Sequence, residues 1–247
     1  MRYLVLSDIH ANLEALDVCL ADAATRRYDR TLVLGDLVGY GADPNAVIER
    51  VIALQPTAIV RGNHDKVSCG IEQPEGFNVA ARRAALWTQE ALTPEHREWL
   101  AALPLGPLEV DGLVQICHGS PFDEDAYIFD ERDVRRALDA STRPLCLFGH
   151  THYQVAFQLS SDDAGSERLR IVSDAEIALQ PGSKYLVNPG SVGQPRDADP
   201  RAGYALIDTD AQTVEVVRLA YPIEAAQAKI VKAGLPETLA SRLALGR

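Results

Sequence analysis

Two of the chain's six histidines, His150 and His152, stand two positions apart behind Gly149, where the apolar run Pro144-Leu-Cys-Leu-Phe148 ends. Side chains at i and i+2 of extended backbone project the same way, so the pair could hold one cation. A polar loop at a strand end has the same look, and the HxH pattern alone does not choose between them. The other acids and histidines supply context. Asp8 and His10 follow the apolar run Tyr3-Leu-Val-Leu-Ser7, and Asp36 follows Thr31-Leu-Val-Leu34. Asn63, His64 and Asp65 follow Thr57-Ala-Ile-Val60, and His118 follows Ile116-Cys117. Five of the six histidines thus stand just beyond predicted strands, in the company of glycines or acids. Ligands in open α/β sheets collect beyond the carboxyl ends of strands, so these residues could converge on one site. His96, in Pro94-Glu-His-Arg-Glu-Trp99, lies on a charged helical surface and is expected to be solvated.

The elements that must position these groups alternate. A strand over Tyr3–Ser7 leads into a helix from Leu13 to Arg26, capped by Asn12, with Leu13, Leu16 and Leu20 at helical spacing. A strand at Thr31–Leu34 is followed by the glycine-rich turn from Gly35 to Asp43 and a helix opening at Pro44. A third strand covers Thr57–Val60. This β-α-β-α-β order predicts a mainly parallel sheet with helices against it. Helices are expected over Asn78–Ala91 and Thr93–Leu103. From Leu105 the texture turns to short strands: Leu108–Val110, Leu113–Cys117, Leu145–Phe148, Tyr153–Leu159, Arg168–Ser173, Tyr185–Val187 and a hairpin over Tyr204–Leu219. Glu131–Ala140 reads as helix, Ser160–Glu167 as a surface loop, and Glu224–Leu245 as helix broken at Gly234-Leu-Pro236. With no linker between the halves, residues 1–247 are expected to form a single domain with two sheets and a C-terminal helical tail from about residue 222.

Composition bounds the function. At 247 residues, with 47% hydrophobic and 24% charged, the chain can bury a full core. No apolar run reaches the ~20 residues a bilayer span needs, and the N-terminal apolar run is too short for a signal peptide, so no membrane association and a cytoplasmic location are expected. Cys19, Cys69, Cys117 and Cys146 are widely spaced and read as reduced core thiols. The net charge of −11 argues against extended nucleic-acid binding but not against a small phosphate substrate, since a metal pair reverses the local field.

The blocks Asp8-x-His10, Gly35-Asp36, Gly62-Asn-His-Asp65, His118-Gly119 and Gly149-His-Thr-His152, in that order, resemble those of the calcineurin-like metallophosphoesterases. Asn188-Pro-Gly-Ser-Val192 is similar to a further block of the small bacterial and archaeal phosphodiesterase branch. Together they cover roughly residues 1–220. The resemblance implies an α/β fold of four layers, αββα, with two mixed sheets flanked by helices and the metal site at the strand ends. It implies two divalent transition-metal ions, manganese first, with iron, nickel or zinc as alternatives. Asp36 would bridge them; Asp8, His10 and His152 would complete one site, and Asn63, His118 and His150 the other. Two such ions, about 4 Å apart, share a hydroxide and clamp phosphate oxygens for in-line attack. The two aspartates and that hydroxide would leave the cluster one positive charge. His64 would point at substrate, as phosphate stabiliser or proton donor, with Asp65 orienting its ring.

Two departures from the family pattern bear on the substrate. Ala11 replaces a frequent glycine. In Gly35-Asp-Leu-Val-Gly-Tyr-Gly41, Tyr40 stands near the position of an arginine carried by protein phosphatases and symmetrical dinucleoside-polyphosphate hydrolases, which lowers both assignments. Arg196 is the candidate replacement cation, against the alternative of a salt-paired surface arginine. Tyr40, Phe77 and Tyr127 are candidates for stacking on a base or aryl group, or for plain packing. The expected function is a phosphodiesterase acting on a small phosphate ester, with a nucleotide among the candidates. A phosphomonoesterase and a dinucleoside-polyphosphate hydrolase are the alternatives, and a non-catalytic metal-binding scaffold is the alternative of another class.

Overall fold

The computed structural model describes residues 1–162 and 164–247. Its first sheet runs, edge to edge, Ala58–Ile59 (β3), Arg30–Val33 (β2), Arg2–Leu6 (β1), Ala202–Asp208 (β11), Thr213–Leu219 (β12) and Glu176–Ala178 (β9). The second runs Leu108–Glu109 (β4), Val114–Ile116 (β5), Leu145–Leu147 (β6), Lys184–Pro189 (β10), Gln154–Ser161 (β7) and Glu167–Val172 (β8). Both sheets are mixed. β1, β2 and β3 are parallel, and so are β5, β6 and β10, while the other pairings are antiparallel.

Strand alternation sorts the side chains into three cores. Tyr3, Val5 and Leu32 of the first sheet meet Ile116, Leu145, Leu147 and Val187 of the second, forming a dry layer between the sheets. Leu4 and Leu6 point the other way, onto the helices Leu13–Arg26 (α1), Pro44–Ala53 (α2) and Ile223–Lys232 (α7). Cys146 and Leu186, out of phase with their neighbours, face the helix Glu131–Ala140 (α6) on the far side of the second sheet. The result is the expected four-layer αββα sandwich. The expected cap Asn12 accepts from the Ala15 amide; Asn78 before the helix Val79–Ala91 (α4), Thr93 before Pro94–Ala101 (α5) and Asp130 before α6 cap in the same way, from the amides of Ala81, His96 and Asp133. Among the described residues no helix is long and apolar enough to cross a membrane.

Three features differ from the sequence expectation. The helix Asn63–Cys69 (α3) begins inside the Gly62-Asn-His-Asp65 block, for which the sequence predicts no helix. β9 is an unanticipated edge strand, held by β12 through Ile177–Val214. The expected loop from Ser160 to Glu167 is shorter, because β7 continues to Ser161 and β8 starts at Glu167; Asp163, within it, lies outside the described residues.

Candidate metal centre

Each of the strands β1, β2, β5 and β6 ends two or three residues before a candidate ligand: Asp8, Asp36, His118 and His150. The chain there bends sharply. Asp8, His10, Asp36, His150 and His152 all have φ between 49° and 65°, a region non-glycine residues rarely occupy. Cross-loop bonds hold this geometry: Asp8 donates to the Gly35 carbonyl at 3.1 Å, His10 to Asp36 at 3.0 Å, and Gly149 to His118 at 2.7 Å. From the other side Gly193 donates to the Asp8 carbonyl at 3.0 Å. A Cβ on Gly193 would overlap the Ile9 carbonyl, so only glycine permits that approach. Ser191 Oγ also donates to the Asp8 carbonyl, at 2.7 Å, and Asn188 Nδ2 to Gly149 at 2.8 Å. The Asn188-Pro-Gly-Ser block therefore braces two of the ligand loops.

The side chains converge in two groups that share Asp36: Asp8, His10, Asp36 and His152, and Asp36, His118 and His150, with ligand atoms within 4.8 Å of one another in each group. All six are buried. The ring hydrogen bonds show why a cation fits. His10 Nδ1 lies 3.1 Å from the Val38 carbonyl, His118 Nδ1 2.8 Å from Leu34, and His152 Nδ1 2.6 Å from Gln194. A carbonyl only accepts, so each Nδ1 carries the proton and each ring turns Nε2 inward, a lone pair available to a cation whenever the ring is neutral. The Nε2 atoms of His10 and His152 are nevertheless 3.1 Å apart, with Asp8 Oδ1 3.3 Å from His152 Nε2. In the second group His118 Nε2 lies 3.1 Å from His150 Nδ1, 3.3 Å from Asn63 Oδ1 and 3.5 Å from Asp36 Oδ2. Such convergent acceptors need a positive charge between them. Asp36 Oδ2 faces both groups, 3.6 Å from His10 Nε2 and 3.5 Å from His118 Nε2, while Oδ1 accepts from the His64 amide at 2.8 Å. The donor set, nitrogen and oxygen without thiolate, suits divalent first-row metals.

Protonation follows the same logic. Burial drives His10 and His152 well below the usual imidazole range and His150 down to about 3, keeping these rings neutral. Burial opposes charge on His118 as well, but the charge and hydrogen bond of Asp36 outweigh it and push it up to about 10. Burial raises Asp8 to about 6 against the attraction of His118.

The groups around the centre divide. His64 is buried, with Nδ1 lacking a partner, and its ring packs 5.0 Å from His10, 4.3 Å from Tyr40 and 4.5 Å from Phe77. The expected contact between Asp65 and the His64 ring is not formed. Asp65 accepts instead from the backbone amides of Leu37 at 2.9 Å, Val38 at 3.2 Å and Gly62 at 2.9 Å. The reason is α3: successive residues on a helix point in different directions, so Asp65 caps the helix while His64 faces the cluster. Arg196 donates to Tyr40 Oη at 3.2 Å and Gln194 Oε1 at 3.0 Å, and among the described residues no carboxylate pairs with it. The salt-paired alternative is thereby removed. Tyr40 is packed against His10, ring centroids 4.7 Å apart, so it buttresses the site. Tyr127 stacks on His150 at 3.8 Å and stays partly exposed. Sequence reasoning missed the three carbonyls that orient the rings, on Leu34, Val38 and Gln194, and Ser7, whose hydroxyl donates to Asp8 Oδ2 at 2.6 Å. His96 is not a free surface group: its Nδ1 lies 2.8 Å from Asn45 Oδ1 and it is half-buried.

Comparisons with known proteins agree with this arrangement. The calcineurin-like phosphoesterase superfamily domain matches residues 1–212. An uncharacterised protein of Methanocaldococcus jannaschii is 39% identical over 249 aligned positions, covering 98% of this chain and 97% of its own. The crystal structure of a metallophosphoesterase from Sphaerobacter thermophilus is 41% identical with a TM-score of 0.85, covering 100% of both chains. A hypothetical protein from Pyrococcus horikoshii shares the fold, with a TM-score of 0.79 at 21% identity over 100% of this chain and 98% of its own.

Proposed function

The chain belongs to the calcineurin-like phosphoesterase superfamily, and on that premise we propose that it is a dinuclear metal-dependent phosphodiesterase acting on a small phosphate ester. One observation carries the reading: two groups of converging acceptors, each closed by bare imidazole nitrogens, meet at a single oxygen, Asp36 Oδ2. Asp8, His10, Asp36 and His152 would hold one ion, and Asp36, Asn63, His118 and His150 the other, with His150 presenting Nδ1. Manganese is the proposed metal, with iron, nickel and zinc compatible with the same donors. When bound, the ions supply a hydroxide nucleophile at neutral pH and positive charge for the phosphoryl oxygens.

The chain's own groups do the rest. The His64 amide fixes Asp36 through Oδ1 and so leaves Oδ2 free for the shared position. Burial lowers His64 to about 4, so its neutral ring offers an N–H to a phosphate oxygen or to the leaving oxygen. Arg196, held by Tyr40 and Gln194 without a carboxylate partner, offers a charged donor to the substrate. Asp65 contributes at one remove by fixing the Gly62–Leu37 backbone around Asp36. The reading places the protein in the cytoplasm, where its four free thiols stay reduced.

Hydrolysis of bis-p-nitrophenyl phosphate with Mn²⁺, beside an Asp36→Asn control, tests the proposal. The expected outcome is turnover by the native protein, abolished in the variant, and faster than turnover of p-nitrophenyl phosphate. Background rates for both proteins would favour the scaffold alternative, and a preference for the monoester would move the assignment to phosphomonoesterase.

A further inference from the structure

Beside the candidate metal centre lies an open groove of about 700 Å³ lined by Tyr127, Phe129, Tyr153, Arg196 and Arg242. Arg242 comes from the C-terminal 3-10 turn Arg242–Leu245, outside the span that the family match covers. The guanidinium carbons of Arg196 and Arg242 lie 5.6 Å and 5.9 Å from the centroid of the same Tyr40 ring. Two like charges are thus gathered around one aromatic ring. Their mutual repulsion, behind burial, lowers Arg242 below the usual guanidinium range. No side-chain carboxylate among the described residues pairs with either guanidinium. Arg242 Nε donates to the Arg247 main-chain oxygen, and Asp197 and Asp199, the acids near the groove, are paired with Arg218 and Arg201. Arg196 Nε is buried with no partner at all.

Like charges gathered with no acidic side chain between them suit an anion. The phosphoryl group at the metal centre is one such anion, and Arg196 can reach it, since its amide donates to the His152 carbonyl at 3.3 Å and its side chain contacts Tyr40. Arg242 is farther along the groove and is left over. The groove walls add planar surfaces: Phe129 and Tyr153 are 72% and 47% exposed, and Tyr127 stacks on Phe129 at 4.9 Å and 8° while its other face covers His150. Exposed aromatic rings beside guanidiniums that pair with no acidic side chain suit a base next to a phosphate.

Resting on the phosphoesterase reading, we infer that Arg242 and Arg196 form a second anion subsite, selecting nucleotide-type esters that carry a further phosphate besides the one cleaved. Arg242 is then a specificity-determining residue, and the tail that supplies it is part of the binding surface.

The dinucleotides pTpT and TpT differ only in a terminal phosphate and isolate the subsite. The readout is the ratio of kcat/KM for pTpT over TpT with Mn²⁺, in the native protein, Arg242→Gln, Arg242→Lys and the distant surface control Arg168→Gln. A charged hydrogen bond to phosphate is worth about a tenfold preference, which Arg242→Gln removes, Arg242→Lys partly keeps and Arg168→Gln leaves alone. Calorimetric binding of both dinucleotides to Asp36→Asn protein, with and without Arg242→Gln, reads the same preference without turnover. A ratio near one in the native protein, or one insensitive to Arg242, overturns the subsite even if bis-p-nitrophenyl phosphate is cleaved. If no ester is cleaved, the phosphoesterase reading fails while the binding arm still decides on the subsite.

Discussion

Gly62 is where the centre is least tolerant of change. Its φ of −105° is open to any residue, so alanine would meet no backbone penalty; the obstacle is space. A Cβ there would overlap Asp36 Oδ1 and the Asp36 amide nitrogen and lie 2.7 Å from Asp36 Cγ, where carbon pairs rest at about 3.5–4.0 Å. Relief requires the Asp36 carboxylate to swing away and the Asp36 backbone to shift with it. That motion breaks the 2.8 Å bond from the His64 amide to Oδ1, a buried charge-assisted bond worth about 1.5–3 kcal/mol. Overpacking adds about 1–3 kcal/mol. Because both effects fall on one side chain they add incompletely, and Gly62→Ala is expected to lose about 3–4 kcal/mol in urea unfolding. Mn²⁺ affinity, measured by calorimetry, should fall by at least about tenfold, the scale on which displaced supporting groups weaken metal sites. A methyl group at Gly76 would meet nothing within 4 Å, so Gly76→Ala serves as the reference. It should stay within about 0.5 kcal/mol of the native protein. A Gly62→Ala protein as stable as that reference, with native Mn²⁺ affinity, would refute the view that Asp36 is locked by this packing.

Two further perturbations follow from the same charges. Chelator treatment should lower Tm and Mn²⁺ restore it, since ligand at about 100 times its Kd contributes about 2.7 kcal/mol to the folded state; a Tm indifferent to Mn²⁺, Fe²⁺, Ni²⁺ and Zn²⁺ would sink the metal assignment. Away from the centre, burial raises Glu124, but Arg61 and Lys66, with contacts at 3.1 and 3.2 Å, outweigh it and hold Glu124 below the usual carboxylate range. A depressed folded-state pKa means that this stability is present above about pH 4.5, the unfolded value, and is lost as pH falls through the folded one. Glu124→Gln should therefore cost roughly 1–2 kcal/mol at neutral pH and flatten the acid limb of the stability profile, and an unchanged limb in pH-dependent urea melts would contradict the assignment.

Much of this centre can be read from the chain because strand geometry is simple. Short apolar runs end in loops, and a ligand placed one to three residues past the run emerges at the same edge of the sheet as its counterparts. That is why Asp8, Asp36, His118 and His150 group together on sequence alone. The Asp65 expectation fails because adjacency in sequence means contact only if the local backbone is known. Once α3 begins at Asn63, neighbours diverge. The helix itself is hidden by its seven residues, too few for a periodic apolar face, and β9 by its three. Arg242 is hidden by abundance, since among many arginines no spacing distinguishes the one that folds back over Tyr40.

The orientation of the imidazoles lies beyond sequence for a deeper reason. Which ring nitrogen faces a metal depends on where the other finds an acceptor, and for His10, His118 and His152 that acceptor is a main-chain carbonyl. Every residue carries one, so Val38, Leu34 and Gln194 have no identity that marks them; only the topology that brings these loops against the histidines does. His150 obeys the rule by exception. Its backbone amide is spent on both oxygens of Asp8, at 3.1 Å each, its Nδ1 turns inward, and its Nε2 is buried without a partner beneath Tyr127. With one nitrogen committed to the cluster and the other unsatisfied, this ring is the least anchored of the four and sits where the cluster meets the groove. The boundary between chemistry and selectivity therefore falls on the His150–Tyr127 stack, with His118 and Asp36 behind it and Arg196 and Arg242 in front.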